Sequence, residues 1–432
     1  MTQTKFKQTE IGLIPEDWEV KKLGEITKFQ YGLGESAEES GEYTYIRITD
    51  ITSDNTLNKS GLVYINRNKV KENCILNKGD VLIARTGATF GKTLLFNENF
   101  KATYCGFLIK FLFNENLINN HFFFQYTRSN NYWHQAHNLV NGGAQPQFNA
   151  NTISELIIPI PPLQEQSAIA KILSDLDSKI ELLQKQNETL EKIGQAIFKH
   201  WFVDFEFPNE EGKPYKSSGG KMVESELGEI PKGWSVGFLD DGLSTKLIKT
   251  GIDSFEGEKI YLDTASVQNA DIVDLSTKIT INEKPSRANM QPIHKSIWFA
   301  KMKDSKKVLL IDSRDDWLIK NIILSTGFSG LTTFNDLLYY IWTIINSDKF
   351  EIEKNSLCLG TTMQAINNEN IRKIKYVIPS NNLIQSFNTA TSKNYEKISS
   401  NKSEILSLQK TRDLLLPKLM TGKIRVPLEV EE

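Results

Sequence analysis

Cysteine is scarce in this chain of 432 residues: Cys74, Cys105 and Cys358 lie far apart and form no CxxC pair. That excludes a disulfide framework and a cysteine-based zinc site, and it fits a reducing, cytoplasmic setting. No apolar run is long enough to span a bilayer, and the opening MTQTKFKQTE lacks the apolar core of a secretory signal. An excess of positive charge is also missing. Lys+Arg number 51 against 53 Asp+Glu, a formal net charge of −2, so any basic surface has to be local. Catalytic signatures are absent: there is no DPPY- or NPPY-type motif and no carboxylate–lysine nuclease cluster. GATFGKT (Gly87 to Thr93) approaches a phosphate-binding loop, but only three residues separate Gly87 from Gly91, where the motif needs four. It reads as strand–turn–strand. Gly32-Leu33-Gly34 is a lone GxG, and His134 and His137 share a helical face without a third ligand nearby, so no metal or nucleotide is expected.

What is present is size and repetition. A hydrophobic content of 39% with 24% charged residues suffices for two cores of ordinary domain size. Ile14, Pro15, Trp18 and Val20 return as Ile230, Pro231, Trp234 and Val236, an offset of 231 − 15 = 216. Ile153, Leu156, Ile160 and Pro161 return as Ile371, Ile374, Ile378 and Pro379, at 379 − 161 = 218. Lys179, Ile180, Leu190 and Lys192 return as Lys397, Ile398, Leu408 and Lys410 at the same offset. Three ordered matches make the chain an internal duplication.

Each half reads as a mixed α+β domain followed by a long helix. In the first half, β-type runs at Tyr43 to Ile48, Val81 to Ala84 and Phe107 to Phe113 precede an aromatic helix at Phe122 to Trp133. A last strand, Leu156 to Ile160, stops at Pro161-Pro162. The second half parallels this with strands Ser296 to Ala300 and Val308 to Ile311, a helix at Asp336 to Asn346, and a closing strand Ile374 to Ile378. Pro208 to Lys221, rich in Gly, Ser, Pro and charge, is expected to be a linker.

After Pro162, Ile169, Leu176, Leu183, Leu190 and Ile197 recur every seven residues, with Leu173, Ile180 and Asn187 four after the first three. This is a coiled-coil seam with one polar core position. From Glu165 to Lys199 it spans roughly 50 Å. The second copy, about Leu383 to Leu416, keeps Ile398, Ile405, Leu408 and Leu415 but is weaker at its start, and Pro417 is expected to end or kink it. A lone seam needs a partner. The obvious one is the other copy, packed antiparallel; the alternative is that each helix packs on its own domain.

PPLQEQ (Pro161 to Gln166) leading into AIAKILSDLDSKIELL resembles the central region of type I restriction–modification specificity subunits. FKHWFVDFEF (Phe198 to Phe207), YKSSGGKMVESELGEIPKGW (Tyr215 to Trp234) and LLLPKLMTGKIR (Leu414 to Arg425) are similar to the same family. The resemblance implies two target-recognition domains, each reading half of a split DNA site. They are separated by two long antiparallel coiled-coil helices, with a pseudo-two-fold internal repeat. It implies that the chain itself is non-catalytic and that two methyltransferase subunits bind the helices and recruit restriction (translocase–nuclease) subunits. S-adenosylmethionine, ATP and Mg²⁺ then belong to those partners, and double-stranded DNA to this chain. The expected divisions are 1–162, first recognition domain; 163–207, central spacer helix; 208–222, linker; 223–380, second recognition domain; and 381–432, C-terminal spacer helix and tail. The second half departs from the pattern, with Pro379-Ser380-Asn381-Asn382-Leu383-Ile384 in place of PPLQEQ. Two rivals remain open: service to a two-subunit type II-like enzyme, and an interaction scaffold without DNA readout.

Parts shared by both halves are candidates for scaffold and docking, and the divergent interiors, about Glu35 to Asn141 and Lys246 to Ser356, for base readout. Arg47, Arg67, Lys69, Arg85, Lys92 and Arg128 in the first, and Lys295, Lys301, Lys303, Lys306 and Lys307 in the second, are the DNA-contact candidates. The ordinary alternative for such a charge run is a solvated face. Gly142 to Asn149 and Leu359 to Gln364 occupy equivalent places and read as bracing turns more readily than as adenine-reading loops. Trp18 and Trp234 read as core anchors rather than base-stacking platforms.

Overall fold

The computed structural model describes residues 4–52, 54–140 and 148–426. The chain is α+β and divides into two compact units, Met1–Ile180 with Leu406–Glu432, and Glu181–Ile405. Both long helices, α1 (Leu163–Phe198) and α2 (Asn381–Met420), contribute one end to each unit.

In unit 1, β1 (Thr27–Tyr31), β2 (Val81–Ala84), β3 (Thr93–Leu95) and β4 (Leu108–Phe113) form an antiparallel sheet in the order β1-β4-β2-β3. β2 is apolar throughout because both its faces are covered. Val81 and Ile83 meet the aromatic helices, while Leu82 and Ala84 meet a second core around Tyr45 and Ile46. A smaller sheet joins Tyr64–Ile65, Tyr43–Ile46 and Ala102–Tyr104, the last two running parallel. Unit 2 repeats the plan. β5 (Thr245–Leu247), β6 (Ser296–Ala300), β7 (Val308–Ile311) and β8 (Phe328–Thr333) run in the order β5-β8-β6-β7. Its second sheet also holds a parallel pair, Lys259–Leu262 with Ile322–Ser325. In each unit a further two-stranded pair brings the closing strand back beside a matched tryptophan, Trp18 or Trp234: Ile157–Ile160 on Glu19–Lys22, and Lys375–Ile378 on Ser235–Phe238.

The expected aromatic helix is two helices, Asn120–Tyr126 and Asn130–Val140. The break falls where the buried Thr127 hydroxyl bonds the Phe124 carbonyl (2.7 Å) and the Thr93 hydroxyl (2.6 Å). Unit 2 has the same pair, Leu338–Ile345 and Asp348–Ser356, the second capped by Ser347 Oγ on Phe350 N–H at 3.1 Å. Asn149 and Asn367 cap the short helices before the closing strands, accepting from Thr152 N–H (3.0 Å) and Asn370 N–H (2.8 Å).

The expected linker segment is exposed along most of its length and held by local contacts. Tyr215 stacks on Phe207 at 4.5 Å and donates to the Lys221 carbonyl at 2.9 Å, while Asn209 Oδ1 accepts from Glu211 and Lys213 N–H. Pro417 does not end α2, which runs through it to Met420.

Within each unit the two long helices pair antiparallel. In unit 2, Asn187 faces Asn401, whose Nδ2 donates to Asn187 Oδ1 at 2.9 Å, and Gly194 lies beneath the Tyr395 hydroxyl. In unit 1, Asp177 meets Arg412 at 3.1 Å, and Ile169 and Leu173 share a core with Leu415 and Leu419. Of the expected seam, Ile169, Leu173, Ile180, Leu183, Asn187, Ile398 and Ile405 are buried, and Leu176, Leu190, Leu408 and Leu415 are half-buried. α2 looked weak in sequence because Thr391, Asn401 and Gln409 occupy buried seam positions.

Candidate nucleic-acid interface

Backbone bonding fixes which residues of the two units are equivalent. Ala84 N–H bonds Lys92 O (2.8 Å) as Ala300 N–H bonds Lys307 O (2.9 Å). Arg85 N–H bonds Phe107 O (3.0 Å) as Lys301 N–H bonds Gly327 O (2.9 Å). Phe148 N–H bonds Arg85 O (3.0 Å) as Ile366 N–H bonds Lys301 O (2.9 Å). Arg85 and Lys301 are thus one position, where the middle strand of each main sheet ends. On β1, the edge strand beyond β4, Tyr31 pairs with Ile109. In unit 2, Leu247 pairs with Leu331 and Ile248 N–H bonds Gly330 O at 2.8 Å, a register that sets Lys249 in the place of Tyr31.

The unit 1 candidates separate into three groups. Arg85 donates from Nε to Gly106 O (3.0 Å), and its guanidinium lies 5.4 Å from the Tyr31 ring and 5.8 Å from that of Phe107, which is 54% exposed. This places a cation between exposed aromatics. Lys92 follows the turn Gly87–Thr89, half-buried and without a side-chain partner among the described residues. GATFGKT is a hairpin connection, its Gly91 N–H bonded to Ala84 O at 2.8 Å. Arg47, Arg67 and Lys69 are each matched by acid. Arg47 grips Asp50 (Nη2–Oδ1 2.7 Å), Arg67 pairs with Glu72, and Lys69 meets Glu38 at 2.5 Å.

Arg128 is an internal strut. Its guanidinium reaches Asp177 at 2.5 Å and Gln125 at 3.0 Å, and Arg412 binds the same carboxylate. Burial alone raises the Asp177 pKa, and Arg128 with Arg412 outweighs it, so the carboxyl sits below its ordinary value.

The unit 2 lysines do not make one patch. Lys295 precedes β6 and Lys301 follows it, so the strand holds them at its opposite ends. Lys306 pairs with Asp348 at 2.6 Å, and Lys307 bonds the Thr264 carbonyl from a half-buried position. Lys303 is exposed and Lys301 half-buried, neither with a side-chain partner among the described residues. Burial lowers the Lys301 pKa, and the neighbouring Arg287 lowers it further. Arg287 had no signal in sequence: it stands alone in a loop, fourteen residues (301 − 287) before Lys301.

Of the matched loops, Gly142 to Gln147 lies outside the described residues. Its counterpart braces unit 2, with Gln364 O accepting from Lys303 N–H (2.9 Å) and Leu359 bridging Ala365. His137 packs on Phe90 (5.6 Å), and His134 contacts Asn138 at 3.1 Å. Among the described residues no group of three His, Cys, Asp or Glu side chains is placed to hold a metal. No helix there is long and apolar enough to cross a membrane.

Trp18 and Trp234 are core anchors, 0% and 9% exposed. The motif residues Glu165 and Gln166 explain themselves at this end of unit 1. Trp18 Nε1 donates to Glu165 Oε2 (3.0 Å), and Arg425 clamps Glu165 (Nε–Oε1 2.7 Å) and Asp17 (Nη2–Oδ2 2.7 Å). Gln166 Nε2 donates to Leu117 O (2.9 Å) and Pro161 O (2.8 Å), while its Oε1 accepts from Asn119 N–H (2.8 Å). Arg425 draws close because Gly422, at φ +65°, lets the chain approach Pro15 and Trp18 where a Cβ has no room.

One strand ladder built twice, with different side chains at its matched strand end, defines the class: an internally duplicated α+β protein. The family model described as the type I restriction modification DNA specificity domain matches residues 15–192. The chain is 30% identical over 443 residues to the type I restriction enzyme MjaIX specificity subunit of Methanocaldococcus jannaschii, covering 98% of this chain and 97% of that one. It is 24% identical over 439 residues to the MjaVIII specificity subunit of the same organism, covering 98% and 96%. In fold it is similar to the crystal structure of a type I restriction–modification S subunit from M. genitalium, at TM-score 0.50 and 16% identity over 97% and 99% of the two chains. The chain belongs to the family of type I restriction enzyme specificity subunits, the targeting and non-catalytic members of these enzymes.

Proposed function

We propose that this subunit reads an asymmetric, bipartite DNA target, one half-site through each unit, and docks the catalytic subunits of a type I system on its long helices. The reading rests above all on the matched strand end, where one backbone position carries Arg85 beside Tyr31 and Phe107 in unit 1 and Lys301 near Gly327 in unit 2. Shared backbone supports a shared docking geometry, and unlike side chains support unlike half-sites. Leu182, Ile193 and Leu414, 51%, 44% and 64% exposed on the long helices, suit contact with two methyltransferase subunits, which in turn recruit the restriction subunits. S-adenosylmethionine, ATP and Mg²⁺ are held by those partners, in the cytoplasm. With a net charge of −2, the free subunit binds DNA weakly and gains backbone contacts from its partners.

The test is methylome sequencing of a host carrying the complete system, before and after the segment Lys246 to Ser356 is exchanged for that of another specificity subunit. One half of the methylated motif changes and the other stays. A motif that changes in both halves, or in neither, rules out separate readers.

A further inference from the structure

Among the basic side chains of unit 2, many answer a carboxylate or carbonyl: Lys306 has Asp348, Lys278 has Glu258, and Lys307 has Thr264 O. Lys301, Arg287 and Lys249 have no side-chain partner among the described residues. Arg287 and Lys301 also meet across Gly327. The Thr326 N–H bonds Arg287 O (2.8 Å), and Lys301 N–H bonds Gly327 O (2.9 Å). A Cβ on Gly327 would stand 3.1 Å from Arg287 Nη2, so the missing side chain leaves room for the guanidinium beside the strand end. Lys249 lies on the same sheet face, in the register position that Tyr31 holds in unit 1.

Resting on the reading above, we propose that Arg287 and Lys301, joined by Lys249, form a DNA-phosphate site in unit 2, and that Arg85 is the corresponding contact in unit 1. Two cations held close with no carboxylate between them repel each other in the free protein. An arriving phosphate turns that repulsion into attraction and supplies acceptors for both donors. The depressed pKa of Lys301, due to burial and then to Arg287, is what such an unfilled anion site produces. In unit 1 the same corner is built differently, because Phe107 fills the Gly327 position and Tyr31 the Lys249 position. One guanidinium packed on two rings there replaces three cations, so unit 2 carries more of the electrostatic share of binding.

Phosphate contacts set affinity and salt dependence and leave sequence preference unchanged. The assembled subunit–methyltransferase complex is titrated onto two fluorescein-labelled duplexes, one with the motif found by methylome sequencing and one scrambled, across a salt series. Arg287→Ala and Lys249→Ala, both at exposed positions, and Lys301→Met each weaken binding to both duplexes by roughly three- to tenfold. Each also lowers the slope of log K against log salt by about 0.9. Arg85→Ala does the same from unit 1, and Lys278→Ala, in its exposed pair with Glu258, changes neither quantity. If Lys301→Met lowers the melting temperature, the two exposed variants carry the test. A wild-type complex that discriminates between the duplexes, with Arg287→Ala and Lys249→Ala leaving affinity and slope unchanged, overturns the phosphate site alone. So does a changed methylation motif in these variants, since that is base readout. A wild-type complex with no preference for the motif overturns the reading on which the site rests.

Discussion

Trp18 and Trp234 occupy the same place in the two units, and their surroundings are built from opposite chemistry. Trp18 is held by charge: its indole donates to Glu165, and Arg425 clamps Glu165 to Asp17. Trp234 is held by rings. Phe207 stacks on it at 5.2 Å, with Phe205 and Phe202 at 5.7 and 5.9 Å, and Leu383 and Ile384 share its core. The exchange is concerted. Leu383 stands at the Glu165 position (383 − 165 = 218) and Phe207 at the Arg425 position (425 − 207 = 218). A buried carboxylate is tolerable only with its cation, and an apolar pair only without either, so the two positions had to change together. This accounts for Leu383 within the departure of Pro379 to Ile384 from the PPLQEQ pattern. The duplication preserves the anchor and the ladder around it, and leaves free the chemistry that fastens them.

The largest break in this comparison is Trp18→Ala, which empties a fully buried site and costs about 3–5 kcal/mol. Hydrogen exchange should show the loss in peptides of unit 1 while those around Trp234 keep their protection. Equal loss in both units would contradict two separately fastened cores. Next is Arg425→Ala. It leaves Glu165, 1% exposed, buried with only the Trp18 indole as donor, a cost of about 2 kcal/mol given that Arg425 is itself partly solvated. The double variant Glu165→Leu with Arg425→Phe imports the unit 2 solution and recovers most of that loss. A double variant as unstable as the sum of its singles would show that the positions are not coupled.

How much of this could be read beforehand follows from where each signal lies along the chain. The duplication, the apolar runs Val81–Ala84 and Ile297–Ala300, and the seam of α1 were legible because local patterns encode them. The partners were not. Asn187 stood out as a polar seam residue, but Asn401 did not, since α2 carries several other polar residues at buried positions. Proximity in sequence grouped the unit 2 lysines, but the strand Ser296–Ala300 separates Lys295 from Lys301, Lys303, Lys306 and Lys307, which follow it. Arg287 reaches Lys301 only through the fold, and Arg128 is removed from the surface by Asp177, a residue of another helix. Charge in a sequence reports how many cations there are; only packing reports which ones already have an anion.

The smallest effect separates the units by pH. In unit 1, the Asp177 carboxyl is lowered, with Arg128 and Arg412 overcoming its burial. Its contribution is present at neutral pH and disappears only as pH falls through that lowered value, below about 4. In unit 2, burial raises Glu191, against Lys402 and the Trp342 and Asn346 donors, and burial likewise raises Asp271 and Asp315. A raised carboxyl binds protons more readily folded than unfolded, so unit 2 gains stability as pH falls through these raised values. Exchange protection, corrected for intrinsic rates, should therefore rise in unit 2 as pH falls through those values and not rise in unit 1, where burial lowers the His121 pKa and its protonation works against the folded state. Glu191→Gln keeps an acceptor for the Trp342 indole, at 3.0 Å in the wild type, and removes the charge. It should raise unit 2 protection at neutral pH and flatten its pH response. If unit 2 instead loosens between neutral and mildly acid pH, the buried carboxylates are stabilising as anions and the contrast between the two units is reversed.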